Sequence, residues 1–477
     1  MKRVAVIGGG ISGLAAALTL CQQAGRFEVC LLESSSRVGG VLETVRDGPY
    51  LIERSADNFA TLIPDALELS REQGLADKLI RPAVDNRQAF VLHRGRVLPI
   101  PAGFSLMQPT RVGSILATRT LSWAAKLRLL GEFWVPPRTS LEDESLQSFA
   151  TRRLGRETYE NLVEPIVSGI FTADPATLSM QATMPQFFEM ERKSGGLIRG
   201  HRAARKQDAA AAARRASGAR YEQFVAPRDG MSSWVADLAS RLPAGCLRLE
   251  TPVLGLQSVP GPAGTTWEIT TANEKLAVDA VLCATPATVT AQLLRGPLPQ
   301  AADIVAGIPY ASSAVVALVV DRSQLSGRLD GFGLIVPRKE GLSTLAVSYS
   351  SNKYPGRVPQ NELLLRVFLG GALSPQTVER SDDELLELAS RELKRILGWQ
   401  GTRAKWQAVI RWREAMPQYL VGHVARMQQL DSYLAAFPTL KLCGAAYSGV
   451  GIAQCVRGGR RAARELSEFW NDHAQVN

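Results

Sequence analysis

Histidine and cysteine are scarce in this chain, and neither forms a recognisable metal or redox motif. Four histidines occur in 477 residues, far apart and without metal-ligand spacing. The six cysteines are scattered with no C-x-x-C pair, so we expect free, mostly buried thiols in a reducing compartment. These absences argue against a disulfide scaffold, and we predict no metal site.

Long hydrophobic runs are also missing. No stretch reaches the roughly 18 apolar residues of a spanning helix. The chain opens directly on a strand-like segment without a signal peptide, so we expect it to stay in the cytoplasm where it is made. Apolar residues make up 45% and charged residues 21%, as in soluble globular proteins of two or three domains. The net charge of +10 favours an acidic ligand or an anionic surface, and we expect no nucleic-acid partner.

Glycine, in contrast, is concentrated at the start of the chain. Val4–Ile7 predicts a buried strand, and Gly8, Gly10 and Gly13 follow it as G-x-G-x-x-G. The three glycines allow a tight turn, close approach of a pyrophosphate, and packing of the next helix, Leu14–Gln23. The helix N-terminus offers free N–H groups to the phosphates. This unit predicts a dinucleotide site.

The second predicted strand, Phe27–Leu32, ends at an acid. The Glu33 carboxylate can accept both ribose hydroxyls. The next residues include Arg37 for a phosphate and the pair Gly39 and Gly40, an extension that nicotinamide enzymes do not need. It resembles the flavin segment of the amine oxidase and phytoene desaturase superfamily, which favours FAD over NAD. The cofactor residues predicted here are Gly8, Gly9, Gly10, Ile11, Ser12, Gly13, Glu33, Ser34, Arg37, Gly39, Gly40 and Val41.

The remaining strands of a doubly wound sheet must come from later in the chain. Trp267–Thr271, Val278–Cys283 and Leu440–Cys443 are the strand candidates. A glycine-rich segment, 444–452, then leads into a helix from about Ala453 to Trp470. Its N-terminus can stabilise negative charge that develops on the flavin.

Several segments resemble the flavin-dependent protoporphyrinogen oxidase family, in order along the whole chain. The most specific begins at Glu164 as E-P-I-V-S-G-I-F-T-A-D-P and continues to L-S-M at Met180. The others are Gly331–Pro337, Tyr349–Ser351 with Tyr354–Pro355, Trp412 with Ala415–Tyr419, and Gly449–Ile452 with Gly458–Ala463. The family's Gly-Pro is absent from Glu53–Phe59.

The resemblance implies further site residues. It places Gly169 beside the reacting carbon and gives Arg87 a contact to a substrate carboxylate. For a flexible, apolar macrocycle we choose Ile335 and Tyr354 to sandwich the rings. The further expected contacts to noncovalent FAD are Val253, Trp412, Ala415, Val450, Gly451 and Ile452.

The implied activity is the six-electron oxidation of protoporphyrinogen IX to protoporphyrin IX in heme biosynthesis, with oxygen as acceptor and hydrogen peroxide as product. The nearest rival is coproporphyrinogen III oxidation to coproporphyrin III by the same chemistry. An amine oxidase, a carotenoid desaturase and a non-catalytic flavin- or heme-binding protein are less favoured functions. Hand-over of product to the next heme-pathway enzyme is an expected partnership; a monomer and a homodimer both stay open.

The expected fold class is α/β, with a discontinuous Rossmann-like FAD domain, a mixed-sheet substrate domain and a mainly helical domain. In residues 99–138, Leu127, Leu130 and Trp134 fall at helical spacing, with Trp123 and Lys126 nearby. We expect this region to attach peripherally to the inner face of the cell membrane. The expected bounds are 1–85, 226–289 and 411–477 for FAD; 86–98, 185–225 and 290–410 for substrate; 99–184 for the helical domain.

Overall fold

A parallel sheet of five strands carries the N-terminal unit. The computed structural model describes residues 1–23, 25–85, 88–140, 142–207, 223–261 and 264–474. The predicted strand Phe27–Leu32 is present as such, and Val4–Ile7 is extended to Lys2. The buried strand Lys2–Ile7 takes the centre. The order across the sheet is Leu247–Arg248, Phe27–Leu32, Lys2–Ile7, Ala280–Cys283 and Leu440–Leu442.

One predicted strand is divided in two by a change of direction. Residues Lys275–Val278 pair antiparallel with Gly264–Thr271, whereas Ala280–Cys283 enters the parallel sheet. Asp279 lies between them, where its carboxylate accepts the Arg3 N–H at 2.7 Å. The prediction of one strand over 278–283 was therefore wrong. A continuous apolar run does not distinguish one strand from two that belong to different sheets.

A second sheet of seven strands is mixed in direction. Its only parallel pairing within the described residues joins Gly333–Ile335 to Ala89–His93. The strand Trp406–Pro417 lies at its edge, so the expected start of an FAD segment at residue 411 cuts through a strand of this sheet. The order is Trp406–Pro417, Tyr310–Asp321, Glu362–Gly370, Thr344–Tyr349, Gly333–Ile335, Ala89–His93 and Arg96–Pro99.

The helical region extends beyond its expected end. Helices Pro185–Ser194 and Leu197–Gln207 place Phe187 and Leu197 in one apolar core with Phe149, so residues 185–207 belong with the helices and not with the sheet. Conversely, Ala287–Leu294 and Pro299–Ala306 pack on the parallel sheet, and Phe224–Pro227 pairs with Phe59–Ala60. No helix in the described ranges is long and apolar enough to cross a bilayer.

Helices, further strands and turns are the other elements of the described part of the chain. The α-helices are Ile11–Cys21, Asp65–Glu72, Val112–Ala117, Trp123–Leu130, Leu146–Leu154, Arg156–Thr158, Glu164–Phe171, Met180–Thr183, Pro185–Ser194, Leu197–Gln207, Met231–Ala239, Ala287–Leu294, Pro299–Ala306, Ser350–Lys353, Asp382–Leu397, His423–Leu434 and Ile452–Ala474. The other strands are Thr44–Asp47, Tyr50–Glu53, Phe59–Ala60, Leu79–Ile80, Phe104–Ser105, Gln108–Pro109, Phe224–Pro227, Val253–Gly261, Gly264–Thr271 and Lys275–Val278. The 3-10 turns are Ala76–Lys78, Gly131–Trp134, Arg322–Gln324, Arg338–Glu340 and Pro375–Glu379, and Tyr159–Val163 is π-helical.

Candidate functional site

The first glycine turn has the close approaches that its spacing predicts. Gly8 has φ +105°, and a Cβ there would stand 3.0 Å from the Ala284 carbonyl oxygen. A Cβ on Gly13 would clash with the Gly8 carbonyl oxygen. A Cβ on Gly10, in contrast, would meet no atom within 4 Å. The first and third glycines are therefore needed for packing, and Gly10 leaves open space above the backbone.

The helix that follows this turn begins with an uncapped N-terminus. It starts at Ile11, three residues before the predicted start, so Ser12 and Gly13 belong to its first turn. Gly10 makes no side-chain cap, and the first turn has no acidic residue. Free N–H groups and the positive end of the helix dipole therefore face the space over Gly10. This arrangement fits the pyrophosphate of FAD.

Glu33, the predicted ribose contact, lies against the same turn. Its carboxylate accepts the Gly9 N–H at 2.6 Å and the Ser35 N–H at 2.8 Å; the Ser34 hydroxyl lies 3.4 Å away. The Thr251 N–H donates to the Glu33 carbonyl at 2.8 Å, which brings the segment leading to Val253 beside this corner. Val253 follows two residues later, and its expected contact to FAD stays a prediction.

Arg37 orders the second glycine loop. Its guanidinium donates to the carbonyl oxygens of Gly40 at 2.7 Å and Leu42 at 3.1 Å, and it pairs with Glu43 at 3.3 Å. The Gly39 N–H donates to the Gly9 carbonyl at 2.8 Å. Arg37 thus braces the second glycine loop, while the Gly39–Gly9 backbone bond joins that loop to the first turn. The predicted phosphate contact of Arg37 stays a prediction.

Gly169 and Ile335, two of the predicted substrate-site residues, lie against one another. A Cβ on Gly169 would stand 3.8 Å from the Ile335 Cγ2 and 3.7 Å from the Ala346 Cβ. The helix that carries Gly169 follows a π-helical turn, Tyr159–Val163, a feature frequent at functional sites. Pro165 in the first turn of that helix has no N–H to continue a regular α ladder.

Gln418 and Tyr419 connect this helix to the C-terminal glycine segment. The buried Gln418 amide donates to the Phe171 carbonyl at 3.2 Å. The Tyr419 hydroxyl donates to the Ala445 carbonyl at 2.5 Å and accepts the Gly449 N–H at 2.7 Å. Both residues lie in a segment that resembles the family, but their connecting role depends on contacts between distant segments that the sequence does not reveal.

The C-terminal segment packs directly on the first helix. The final helix begins at Ile452 without an acidic residue in its first turn, so Val450 and Gly451 precede a second helix N-terminus. A Cβ on Gly459 would clash with the Ser12 carbonyl oxygen. The structure thus brings both predicted flavin segments into contact.

Tyr354 occupies an unexpected place. It is 1% exposed, and its ring lies 5.8 Å from the Arg357 guanidinium. With Glu53, Asp57 and Arg366 it lines a small cavity of about 10 Å³. The ring therefore has no open face for a macrocycle, against our expectation for a sandwiching residue.

This buried charge cluster, which we define as Glu53, Asp57, Lys353, Arg357 and Arg366, was missed by sequence reasoning. Lys353 and Arg366 lie 3.3 and 3.5 Å from the Asp57 carboxylate. Burial raises the pKa of Asp57, but these two cations outweigh that effect, and the net pKa is lowered. Burial raises the pKa of Glu53, which Arg357 approaches to 3.9 Å.

Loop 54–58 connects the charge cluster to two of the predicted flavin contacts. The Ser55 hydroxyl donates to the Val41 carbonyl at 2.6 Å, and the Ser55 carbonyl accepts from Arg366. The Trp412 indole donates to the Arg54 carbonyl at 3.0 Å. Loop 54–58 therefore lies between two predicted cofactor residues, while Ala415 is half-buried beyond Trp412 on the same strand.

Glu164 is an ionisable group on the Gly169 helix. It is 8% exposed, and the Arg338 N–H donates to its carboxylate at 3.3 Å. Burial raises the pKa of Glu164 to about 7. It begins the most specific family motif but was not predicted as a site residue, because its burial is not evident from the sequence. Arg87 lies outside the described residues, so its carboxylate contact stays a prediction.

Comparison with known proteins identifies the family. The profile of the flavin-containing amine oxidoreductases matches residues 11–467. Coproporphyrinogen III oxidase of Bacillus subtilis (strain 168) is 31% identical over 98% of both chains, and protoporphyrinogen oxidase 1 of Spinacia oleracea is 29% identical over 98% of this chain and 84% of its own length. A solved structure from Exiguobacterium sp. 255-15, provisionally assigned as a protoporphyrinogen oxidase, has 30% identity and a TM-score of 0.83 over 98% of this chain and 99% of its own. The chain therefore belongs to the flavin-containing amine oxidoreductase family, and it is an FAD-dependent oxidoreductase.

Proposed function

We propose that this enzyme oxidises a porphyrinogen, with protoporphyrinogen IX as substrate and heme biosynthesis as its pathway. The observation that carries the proposal is the meeting of Gly169 with Ile335, at a helix that Gln418 and Tyr419 join to the C-terminal flavin segment. Relatives that cover nearly the whole chain and are named porphyrinogen oxidases support it.

Bound FAD would supply the hydride acceptor for oxidation at a meso carbon. The two glycine turns and Glu33 would hold its pyrophosphate and ribose. Gly169 would leave room for the macrocycle, and Ile335 would pack against its rings. The main work of the chain is thus to position an electron-rich substrate and to exclude water, since the resulting cation is spread over the pyrrole rings.

Coproporphyrinogen III is the second candidate substrate. The bacterial relatives from Bacillus subtilis and Propionibacterium freudenreichii, at 31% and 32% identity, are both named coproporphyrinogen III oxidase. Coproporphyrinogen III has four carboxylates and protoporphyrinogen IX has two, so its binding pocket needs more cationic groups. We propose Arg87 as one carboxylate contact and oxygen as the electron acceptor.

The deciding experiment mixes the FAD-loaded enzyme anaerobically with each porphyrinogen and follows flavin absorbance. We expect bleaching by protoporphyrinogen IX, followed by recovery of colour and release of hydrogen peroxide when oxygen enters. Faster bleaching by coproporphyrinogen III would transfer the assignment to that substrate. A flavin that neither compound bleaches would refute the proposed function.

We further propose peripheral attachment to an anionic membrane, on the cytoplasmic face. Five large apolar side chains are exposed within residues 99–138, and Trp123, Leu127 and Trp134 are exposed by 68, 66 and 75%. The expected helical stripe of Leu127, Leu130 and Trp134 is corrected in two respects. Leu130 is half-buried, and the helix ends at Leu130, so that Trp134 lies in a 3-10 turn. The exposed apolar face consists of Val112, Leu116, Trp123, Leu127 and Trp134.

The same face would suit transfer of an apolar product to the next heme-pathway enzyme.

The cations beside the face differ in their availability to a membrane. Lys126 does not contribute a free cation, because its ammonium donates to the Leu116 carbonyl at 2.8 Å and lies 4.4 Å from the Trp123 ring. It holds Trp123 in place instead. Exposed Arg119 lies beside the face and would meet lipid phosphates.

A further inference from the structure

Two cysteines that are far apart in sequence meet at the edge of the parallel sheet. The Sγ atoms of Cys21 and Cys246 lie 4.0 Å apart, although 225 positions separate them in the chain. Cys21 is the last residue of the first helix, and Cys246 immediately precedes the edge strand Leu247–Arg248. We propose that Cys21 and Cys246 are a modification site, at which a hydroperoxide forms a reversible disulfide.

The two thiols differ in the way that such a reaction needs. Cys21 is half-buried, whereas Cys246 is 3% exposed. A hydrogen bond with Cys246 lowers the pKa of Cys21, while the same contact and burial raise the pKa of Cys246. Cys21 is therefore the more accessible of the two residues, and Cys246 is placed to resolve its oxidised form.

The reaction balances with the peroxide as the only oxidant. The Cys21 thiolate attacks the O–O bond, takes one oxygen as a sulfenic acid and releases one water or alcohol. The Cys246 sulfur then attacks the Cys21 sulfur, the new S–S bond replaces the S–O bond, and a second water leaves. Two thiols are oxidised by two electrons and one peroxide is reduced. The sulfurs must approach from 4.0 Å to about 2 Å, which a shift at the end of a helix can provide.

A third cysteine nearby is a matched control. Cys30 lies on Phe27–Leu32, the strand that pairs with Leu247–Arg248. Its side chain packs on the opposite face of the sheet from Cys246, because side chains alternate along a strand. Cys30 is also half-buried, yet the sheet separates it from the pair.

The disulfide would stabilise the ribose corner of the cofactor site. The edge segment makes three backbone hydrogen bonds there: Glu33 N–H to the Arg248 carbonyl, Thr251 N–H to the Glu33 carbonyl, and Glu250 N–H to the Ser35 carbonyl. Attaching Cys246 to the helix restrains fraying of this segment. The oxidised enzyme should therefore unfold at a higher temperature and release FAD more slowly.

The test exposes the reductant-free holoenzyme to stoichiometric hydrogen peroxide, alkylates the remaining thiols after denaturation, and measures intact and peptide masses. We expect two of the six thiols to disappear, a Cys21–Cys246 cross-linked peptide, and full reversal by dithiothreitol. Cys30→Ser should form the same cross-link, and Cys21→Ser should not.

Three results would overturn the proposal. They are the absence of the cross-linked peptide from the wild type, loss of two thiols in Cys21→Ser, and a cross-link that requires Cys30. Thermal unfolding of the oxidised enzyme adds an independent measurement: we expect a rise of at least about 2 °C that is absent in Cys21→Ser. An unchanged unfolding temperature would refute the stabilising effect. None of these measurements requires porphyrinogen turnover.

Discussion

Glu33 is the residue at which the predicted cofactor contact can be tested most directly. Its carboxylate orders the Gly9 and Ser35 N–H groups, and it faces the predicted ribose position. We expect Glu33→Ala to lose two charge-assisted hydrogen bonds to FAD, each about 1.5–3 kcal/mol, and to purify largely without flavin. The measurement is the flavin-to-protein absorbance ratio. Glu28→Ala, on the exposed face of the same strand, should keep full occupancy; equal occupancy in both variants would contradict the ribose role.

Gly169 tests the space left for substrate. The distances of 3.7 and 3.8 Å around a Cβ there are ordinary van der Waals contacts, so Gly169→Ala should fold normally and retain part of the activity. Gly169→Leu would fill the substrate volume, and a displacement of about 1 Å can cost about a hundredfold in rate. We expect its turnover to be abolished while the flavin spectrum is unchanged. Near-normal turnover of the leucine variant would remove Gly169 from the substrate site.

Glu164 predicts a pH dependence of stability. Its pKa is about 7 in the folded chain because of burial, against an ordinary value of 4.5. Between these pH values the folded state binds the proton more tightly than the unfolded state, so the contribution of Glu164 to stability falls as the pH rises from about 4.5 to 7. We expect Glu164→Gln to remove up to ~3 kcal/mol of this dependence in urea unfolding. The exposed Glu142→Gln should behave as the wild type, and parallel curves for all three proteins would contradict the assignment.

At the scale of elements, prediction succeeded where the interacting residues are close in sequence. Gly9 and Glu33 are 24 positions apart within one strand–turn–helix–strand unit, so the spacing assigned both to one cofactor turn, and the structure adds the hydrogen bond between them. Asp57 and Lys353 are 296 positions apart, and Ser55 and Arg366 are 311 apart. The sequence around each of these residues does not distinguish it from a solvent-exposed polar or charged residue. Tyr354 was misread for the same reason, since a ring in an internal cluster and a ring in a substrate cleft have the same local sequence.

The exposed apolar face belongs to this scale as well. Replacing Leu116, Trp123, Leu127 and Trp134 with serine should release the enzyme from anionic liposomes, because apolar burial of about 25 cal/mol per Å² is lost. High salt should release the wild type only in part, since salt screens charge and not apolar contacts. Sedimentation with anionic and zwitterionic vesicles measures both effects. Wild type that stays in the supernatant in low salt, or a variant that loses FAD, would contradict a membrane role.

At the scale of the whole molecule, the charge cluster joins loop 54–58 to the seven-stranded sheet. Arg366 comes from the sheet strand Glu362–Gly370, and Asp57 comes from the loop beside Val41 and Trp412. Removing one partner of a buried pair leaves the other charge without compensation, which costs about 3–5 kcal/mol. Since Lys353 would remain beside Asp57, we expect Arg366→Met to cost about 3 kcal/mol, at the lower end of this range.

The double variant shows whether this cost comes from the unpaired charge. Asp57→Asn combined with Arg366→Met removes both charges, so it should recover a substantial part of the stability that Arg366→Met loses. Chemical unfolding can be monitored by flavin fluorescence, which reports release of FAD, and by circular dichroism, which reports loss of the sheet. We expect the two signals to change at the same denaturant concentration. If the two substitutions are simply additive, the ion pair does not couple the loop to the sheet. Simultaneous loss of the two signals would mean that loop 54–58 is stabilised by the sheet that carries Ile335. The buried charges would then fix the cofactor site and the substrate site relative to one another.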